Sequence, residues 1–183
     1  MKEETKYNLK DLLELILYVA VVLLLCFLLI TYVGQRTRVI GDSMQATLQD
    51  GDNLIVDKIS YRFHDPARFD IIVFPYEYEE DTFYIKRIIG LPGETVWINT
   101  SGDIYINGAL LQENYGLERI SYAGLAAVPI KLGEDEYFVL GDNRNNSRDS
   151  RFDVVGTIQR DKIVGRAWVR IYPFDKISVI KHQ

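Results

Sequence analysis

The chain begins with a long apolar stretch and then changes character. Residues 15–33 carry no charged side chain. As a helix they would extend about 28 Å, close to the thickness of the hydrocarbon core of a bilayer. Tyr18 and Tyr32 lie near the two ends, where interfacial aromatic residues are favoured. The pattern predicts a transmembrane anchor over 15–33, after an N-terminal segment over 1–14. A cleavable signal peptide is the alternative, but its apolar run would be only about 7–15 residues long.

Beyond the anchor, short apolar runs alternate with Gly, Pro and Asn turn signals, which is typical of strands. The predicted strands are 54–60, 69–74, 83–89, 95–98, 103–106, 137–140, 163–172 and 177–180. No segment in this part keeps a helical period for more than about ten residues. Residues 113–136 show little pattern and are expected to be irregular. We therefore predict a mainly β fold, an antiparallel sheet or barrel-like domain over 34–183, behind one N-terminal transmembrane helix.

Composition excludes several classes of function. The 183 residues include 21 Lys and Arg against 26 Asp and Glu, a net charge of −5, which argues against nucleic-acid binding. The single cysteine, Cys26, cannot form an internal disulfide or a cysteine zinc site. Only His64 and His182 could serve as histidine ligands, so a metal centre with several histidines is excluded. We expect no metal and no cofactor.

The charges around the apolar stretch indicate its orientation weakly. Positive side chains lie on both sides: Lys2, Lys6 and Lys10 before it, Arg36 and Arg38 after it. Because positive residues favour the cytoplasmic side, the N-terminus is predicted to be cytoplasmic. Residues 34–183 would then lie outside the cytoplasm, often an oxidising compartment, and the absence of cysteine from this part is compatible with that location.

Three polar features do not fit an ordinary β domain. They are the turn-rich segment 41–52, the lone Lys86 within the apolar run 83–89, and the polar segment 141–151 directly after a strand. Each has a purely structural explanation. The first segment could be a juxtamembrane loop, the lysine could block pairing at a sheet edge, and the last could be a solvated turn.

A functional interpretation takes these features together. A serine nucleophile needs a base, and a neutral lysine can serve where histidine is scarce. Free lysine has a pKa of about 10.4, so about one molecule in two thousand is neutral near pH 7. Burial lowers that pKa by up to about 3–5 units. Ser43 and Lys86 are therefore a candidate pair, although spacing alone cannot establish their contact.

Five sequence blocks, in order behind the apolar stretch, resemble bacterial type I signal peptidases, and most closely the short single-anchor type of Gram-positive bacteria. The blocks are Gly-Asp-Ser-Met within 41–48, Gly-Asp at 51–52 with its strand, Arg-Phe-Asp within 68–74, Tyr-Ile-Lys-Arg within 84–94, and Gly-Asp-Asn-Arg-Asn-Asn-Ser-Arg-Asp-Ser-Arg at 141–151. Members of this family are membrane-anchored endopeptidases with a Ser-Lys dyad that remove signal peptides from exported proteins.

The resemblance implies a role for each matching position. The implied residues are Ser43 as nucleophile and Lys86 as general base; Ser147, Asp149 and Arg151 in support of the dyad; the backbone of Ser43 and Gly41 for the oxyanion; and Met44, Leu48, Tyr84 and Ile85 in the substrate pocket. Three positions depart from the family pattern. Ala46 replaces a usual proline, Asn145 stands where an aspartate is frequent, and Gly41 replaces a serine found in some relatives.

The family also implies a β-rich catalytic core with a small β insertion, here within about 95–135. Its substrates would be secreted preproteins, cut after small residues at Ala-X-Ala type sites. The expected surroundings are the cell membrane with its phospholipid and a nearby export translocase, with no nucleic acid. The alternative function is an inactive or regulatory membrane-anchored β binding module of the same fold.

Overall fold

The structure is a computed structural model that describes residues 8–32, 34–79 and 82–182. Lys2, Lys6 and Val33, on which the orientation and the anchor boundary partly depend, lie outside the described residues. Helix α1 spans Leu9–Tyr32. No helix in the described part of the chain combines the length and the apolar character needed to cross a bilayer. The predicted transmembrane anchor over 15–33 is therefore not confirmed.

Twelve strands within the described residues form two antiparallel sheets. The first sheet contains β1 (Gly34–Arg38), β2 (Asn53–Asp57), β3 (Ile71–Pro75), β4 (Phe83–Gly90), β9 (Glu136–Leu140), β10 (Ile158–Gln159), β11 (Gly165–Tyr172) and β12 (Ser178–Val179). Its order is β1-β2-β11-β3-β4-β9-β10, with β12 on β11. The second sheet contains β5 (Thr95–Ile98), β6 (Ile104–Ile106), β7 (Ala109–Leu110) and β8 (Ile130–Lys131), in the order β7-β6-β5-β8.

The prediction of a mainly β, antiparallel fold is confirmed. The predicted strand boundaries shift locally. The run 69–74 begins its strand only at Ile71, because Phe69 has a positive φ of 72° that an extended strand does not tolerate. The segment 113–136 is mostly irregular, as expected, but it also contains β8 and a short 3-10 helix, Gly124–Ala127.

Strand β4 is buried along most of its length because β3 and β9 pair with its two edges. From Ile85 to Gly90 every residue is buried. A compact apolar cluster lies beside the first half of β4. Its members are Val39, Met44, Leu48, Leu54, Val56, Ile71, Val73, Ile85, Ala167 and Ile180. This cluster matters for function because it joins the segment 41–52 to the strand that carries Lys86.

Candidate active site

Ser43 lies in a tight loop between β1 and β2 whose ends are fastened together. The Val39 N–H donates to the Asp52 carbonyl at 2.8 Å, and the Gly51 N–H donates to the Val39 carbonyl at 3.0 Å. Within the loop, the Met44 and Leu48 side chains are almost completely buried. Their burial presses the loop onto the apolar cluster, so the Ser43 hydroxyl is held at the surface by its neighbours.

Lys86 reaches the same point from strand β4. Its side chain is 4% exposed, and its Nζ lies 2.8 Å from Ser43 Oγ. The amine also donates to the Ile85 carbonyl at 2.9 Å. The two candidate residues are 43 positions apart in the chain, so only the tertiary fold brings them together.

The burial of this amine changes its acidity. Desolvation lowers the pKa of Lys86 to about 8, and the negative charges of Asp149 and Asp142 oppose part of that effect. At that pKa about one amine in ten is neutral at pH 7, compared with about one in two thousand for a free lysine. The direction agrees with the expectation from the sequence.

A buried ion pair ties the serine loop to the lysine strand. Arg87, next to Lys86, donates through Nε and Nη2 to both carboxylate oxygens of Asp142 at 2.8 and 2.7 Å. Both side chains are fully buried. Thr47, in the serine loop, donates its hydroxyl to the same carboxylate.

The Tyr115 ring covers the Arg87 guanidinium, and the distance from Arg87 Cζ to the ring centroid is 3.8 Å. The sequence alone assigned no role to Arg87, Thr47 or Tyr115. Of the three, only Arg87 stands out there, because it is a charged residue in a largely apolar strand.

Asp149 and Arg151, two of the residues expected to support the dyad, form an ion pair with each other. Arg151 donates through Nε and Nη2 to the two oxygens of Asp149, each at 2.8 Å, and both side chains are almost fully buried. The Gly141 N–H also donates to Asp149 at 3.1 Å. The polar segment 141–151 therefore folds back on itself and presents a buried negative charge to Lys86.

The segment 141–151 also packs closely against the serine loop. The Asn143 N–H donates to the Ser43 carbonyl at 3.0 Å. A Cβ atom at Gly141 would lie 2.5 Å from that carbonyl oxygen and 2.2 Å from Ser147 Oγ. Only glycine allows this approach, because any side chain would push the two segments apart.

Two supporting residues do not behave as expected. The buried Ser147 Oγ has no hydrogen-bond partner among the described residues, so it does not hold the Lys86 amine. The Gly41 N–H donates to the Asp50 carboxylate at 2.8 Å, which contradicts its expected use as an oxyanion donor. The hydrogen bonds found among the described residues leave the Ser43 N–H unused.

The serine and the lysine lie in an open groove of about 580 Å³. Three of the four expected pocket residues, Met44, Tyr84 and Ile85, line it. Leu48 does not, because it is fully buried in the apolar cluster below. A hydroxyl beside an amine of lowered pKa, at the floor of an accessible groove, can carry out nucleophilic acyl transfer. No cluster of potential metal ligands is found in the part of the chain that the structure describes.

Comparison with known proteins places this chain in a family. The family model described as "Signal peptidase, peptidase S26" matches residues 12–172. A probable signal peptidase I-2 of Synechocystis sp. is 42% identical over 156 residues, covering 82% of this chain and 68% of that protein.

A second relative and a solved structure extend the comparison. Signal peptidase I P of Bacillus subtilis subsp. natto is 34% identical over 188 residues, covering 99% of this chain and all of that protein. A solved signal peptidase I from Enterococcus faecalis V583 is 34% identical and covers 56% of this chain and 97% of its own, with a TM-score of 0.46. The family match and the two relatives confirm the resemblance seen in the sequence: the chain belongs to the signal peptidase I family, peptidase S26.

Proposed function

We propose that this chain is a membrane-bound serine endopeptidase that removes N-terminal signal peptides from secreted preproteins with a Ser43–Lys86 dyad. The observation that carries the proposal is the 2.8 Å contact between Lys86 Nζ and Ser43 Oγ, made by a buried amine in an open groove. Family membership supports the substrate class, because the relatives are named signal peptidases.

The mechanism needs only groups of this chain and water. Neutral Lys86 takes the proton of Ser43 Oγ while the oxygen attacks the scissile carbonyl. The Ser43 N–H donates to the oxyanion of the tetrahedral intermediate. The protonated Lys86 then gives its proton to the leaving amine as the C–N bond breaks. Lys86, neutral again, deprotonates a water molecule that hydrolyses the acyl ester and restores Ser43.

The surrounding groups position this dyad. The Asp149 carboxylate, held by Arg151, stabilises the protonated amine that forms when Lys86 accepts the serine proton. Ser147 receives no role, because its hydroxyl makes no hydrogen bond to Lys86. Gly41 supplies no oxyanion donor because Asp50 accepts its N–H.

The groove also accounts for a preference for small residues before the cleaved bond, as at Ala-X-Ala type sites. Met44, Tyr84 and Ile85 line the groove, and the Met44 and Ile85 side chains are buried. Buried side chains of this kind disfavour a branched substrate side chain, because the packed atoms around them cannot move without cost.

Cleavage of a purified preprotein tests the function. The chain in detergent is expected to make one cut, after the alanine at the end of the signal peptide. Leucine in place of that alanine should lower kcat/KM by about tenfold to a hundredfold, the discrimination that a tight apolar pocket provides. Product mass and N-terminal sequencing measure the outcome. A preprotein left intact by the folded chain, or leucine accepted as well as alanine, would contradict the proposal.

The pKa of Lys86 gives the pH dependence of this activity. Below the pKa of about 8 the amine is protonated and cannot accept the serine proton. The value of kcat/KM should therefore rise about tenfold per pH unit up to about pH 8 and level off above it, with pH 6 about a hundredfold below the plateau. Initial rates in buffers of constant ionic strength measure the profile. A profile flat from pH 6 to 9 would exclude Lys86 as the base.

Membrane attachment belongs to the same proposal. Large apolar side chains are exposed along α1, among them Leu17, Leu23 and Phe27, and the run 15–33 carries no charge. We assign 1–14 to the cytoplasm, 15–33 to a single-pass anchor in the phospholipid membrane, and 34–183 to the extracytoplasmic side near the export translocase. Attachment would raise the effective concentration of signal peptides at Ser43.

A further inference from the structure

An arginine in the wall of the groove is the basis of an inference about substrate choice, and it rests on the proposed function. Arg148 lines the groove that contains Ser43 and Lys86, and its side chain is exposed. The next residue, Asp149, is buried in its ion pair with Arg151. The polar segment 141–151 therefore buries the carboxylate of Asp149 and exposes the guanidinium of Arg148 in the groove.

Two tyrosines lie beside this guanidinium. The rings of Tyr76 and Tyr84 stack in parallel, with centroids 4.5 Å apart and an interplanar angle of 7°. Tyr76 is fixed at the base of the β3–β4 hairpin by its N–H, which donates to the Thr82 carbonyl at 2.8 Å. The neighbouring Tyr76 and Tyr84 hydroxyls raise the pKa of Arg148. Tyr84 also links Arg148 to the dyad, because its ring centroid lies 5.0 Å from Lys86 Nζ.

The chemistry of the arginine side chain specifies its ligand. Its guanidinium stays charged at every pH at which the peptidase works, and it presents paired N–H donors that match a carboxylate. Lysine at the same place would offer a single mobile charge without this geometry. The natural partner of Arg148 is an Asp or Glu side chain of the bound preprotein.

The lining of the groove indicates which part of the preprotein meets Arg148. The apolar residues Val39, Met44 and Ile85 suit the small side chains before the cleaved bond. The polar residues Asn146 and Arg148 come instead from the segment 141–151. If the residues before the cleaved bond contact these apolar side chains, the chain after the bond is left the part of the groove that segment 141–151 lines.

We infer that Arg148 determines specificity by binding an acidic side chain in the first residues after the cleaved bond. The groove also contains Asp42, Glu79 and Arg38, so its overall charge is mixed and cannot produce this preference by itself. Arg38 is the matched control, because it is a second exposed arginine in the same groove.

The test compares substrates that differ only in one charge. Peptides with the same small residues before the bond would carry Asp or Lys at each of the three positions after it, and kcat/KM would be measured with the full chain in detergent. We expect Asp to be preferred at one of these positions by about twofold to fivefold, the range of exposed charge pairs, with a smaller ratio at high salt.

Substitutions then assign the preference to a residue. Arg148→Glu should invert the Asp/Lys ratio, and Arg148→Ala should bring it near one. Arg38→Glu should leave the ratio close to that of the original chain.

The inference is overturned if Asp is preferred at none of the three positions after the bond, if Arg148→Glu keeps the original ratio, or if Arg38→Glu changes it equally. Ser43→Ala separates this result from the proposed function. If Arg148→Glu leaves the Asp/Lys ratio unchanged while Ser43→Ala abolishes cleavage, only the role of Arg148 is ruled out. Cleavage that continues in Ser43→Ala removes the proposed function.

Discussion

Replacing Lys86 with methionine is expected to lower kcat for preprotein cleavage by about a thousandfold or more, the contribution of a positioned general base. Methionine has nearly the length of lysine and no charge, so it can fill a site that is only 4% exposed without burying an unpaired group. The apparent affinity for substrate should change little, because the amine acts on the serine proton and not on the binding of the signal peptide.

Two controls make this result specific. The Lys86→Met chain should unfold in urea at a concentration no lower than the original chain, since a desolvated amine has been removed. Ser43→Ala should cause a similar loss, and the double variant should lose little more, because residues that act as one unit are not additive. Turnover by the Lys86→Met chain within a few-fold of the original would mean that another group is the base.

The second large effect concerns the ion pair behind the dyad. Asp142→Ala should lower the free energy of unfolding by about 3–5 kcal/mol, because it leaves the buried Arg87 guanidinium without its carboxylate. It should also lower kcat, since Asp142 accepts hydrogen bonds from both Arg87 on the lysine strand and Thr47 in the serine loop. Urea unfolding and preprotein cleavage measure the two effects.

A surface pair gives the matched control. Arg160 Nε lies 3.4 Å from Asp65 Oδ1, and the Asp65 side chain is 88% exposed. Asp65→Ala should cost no more than about 1 kcal/mol, as exposed pairs do. Equal costs at Asp65 and Asp142 would show that the buried pair does not hold the site together.

A double variant separates stability from alignment. Arg87→Met combined with Asp142→Leu removes both charges and should recover much of the lost stability, because no buried charge is left unpaired. It should remain slow in cleavage, because the connection between the serine loop and strand β4 is gone. Full activity in this variant would assign Arg87 and Asp142 to folding alone.

The fold was predictable from the sequence to the extent that it depends on local patterns. Short apolar runs with Gly and Pro punctuation indicated the antiparallel sheets correctly. The late start of β3 was not visible, because the positive φ of Phe69 depends on contacts made elsewhere in the fold. The carbonyl of Phe69 accepts a hydrogen bond from buried Arg87, and nothing in the local sequence shows this contact.

The sequence singled out the two candidate residues that the structure brings into contact. Ser43 and Lys86 stand out because a serine in a glycine-rich turn and a lysine among isoleucines are chemically unusual. The supporting residues were harder, because their roles depend on competing partners. Gly41 was expected to donate to the oxyanion, but Asp50 accepts its N–H. Leu48 was expected in the pocket, but the loop turns it into the core.

The separation of Ser43 and Lys86 by 43 positions has a consequence for the life of the molecule in the cell. A lysine in contact with water keeps its proton at neutral pH, so position 86 is chemically idle until β3 and β9 enclose its strand. If Lys86 is the base, as we propose, a partly folded copy with an open sheet would have little peptidase activity, because its lysine would stay protonated.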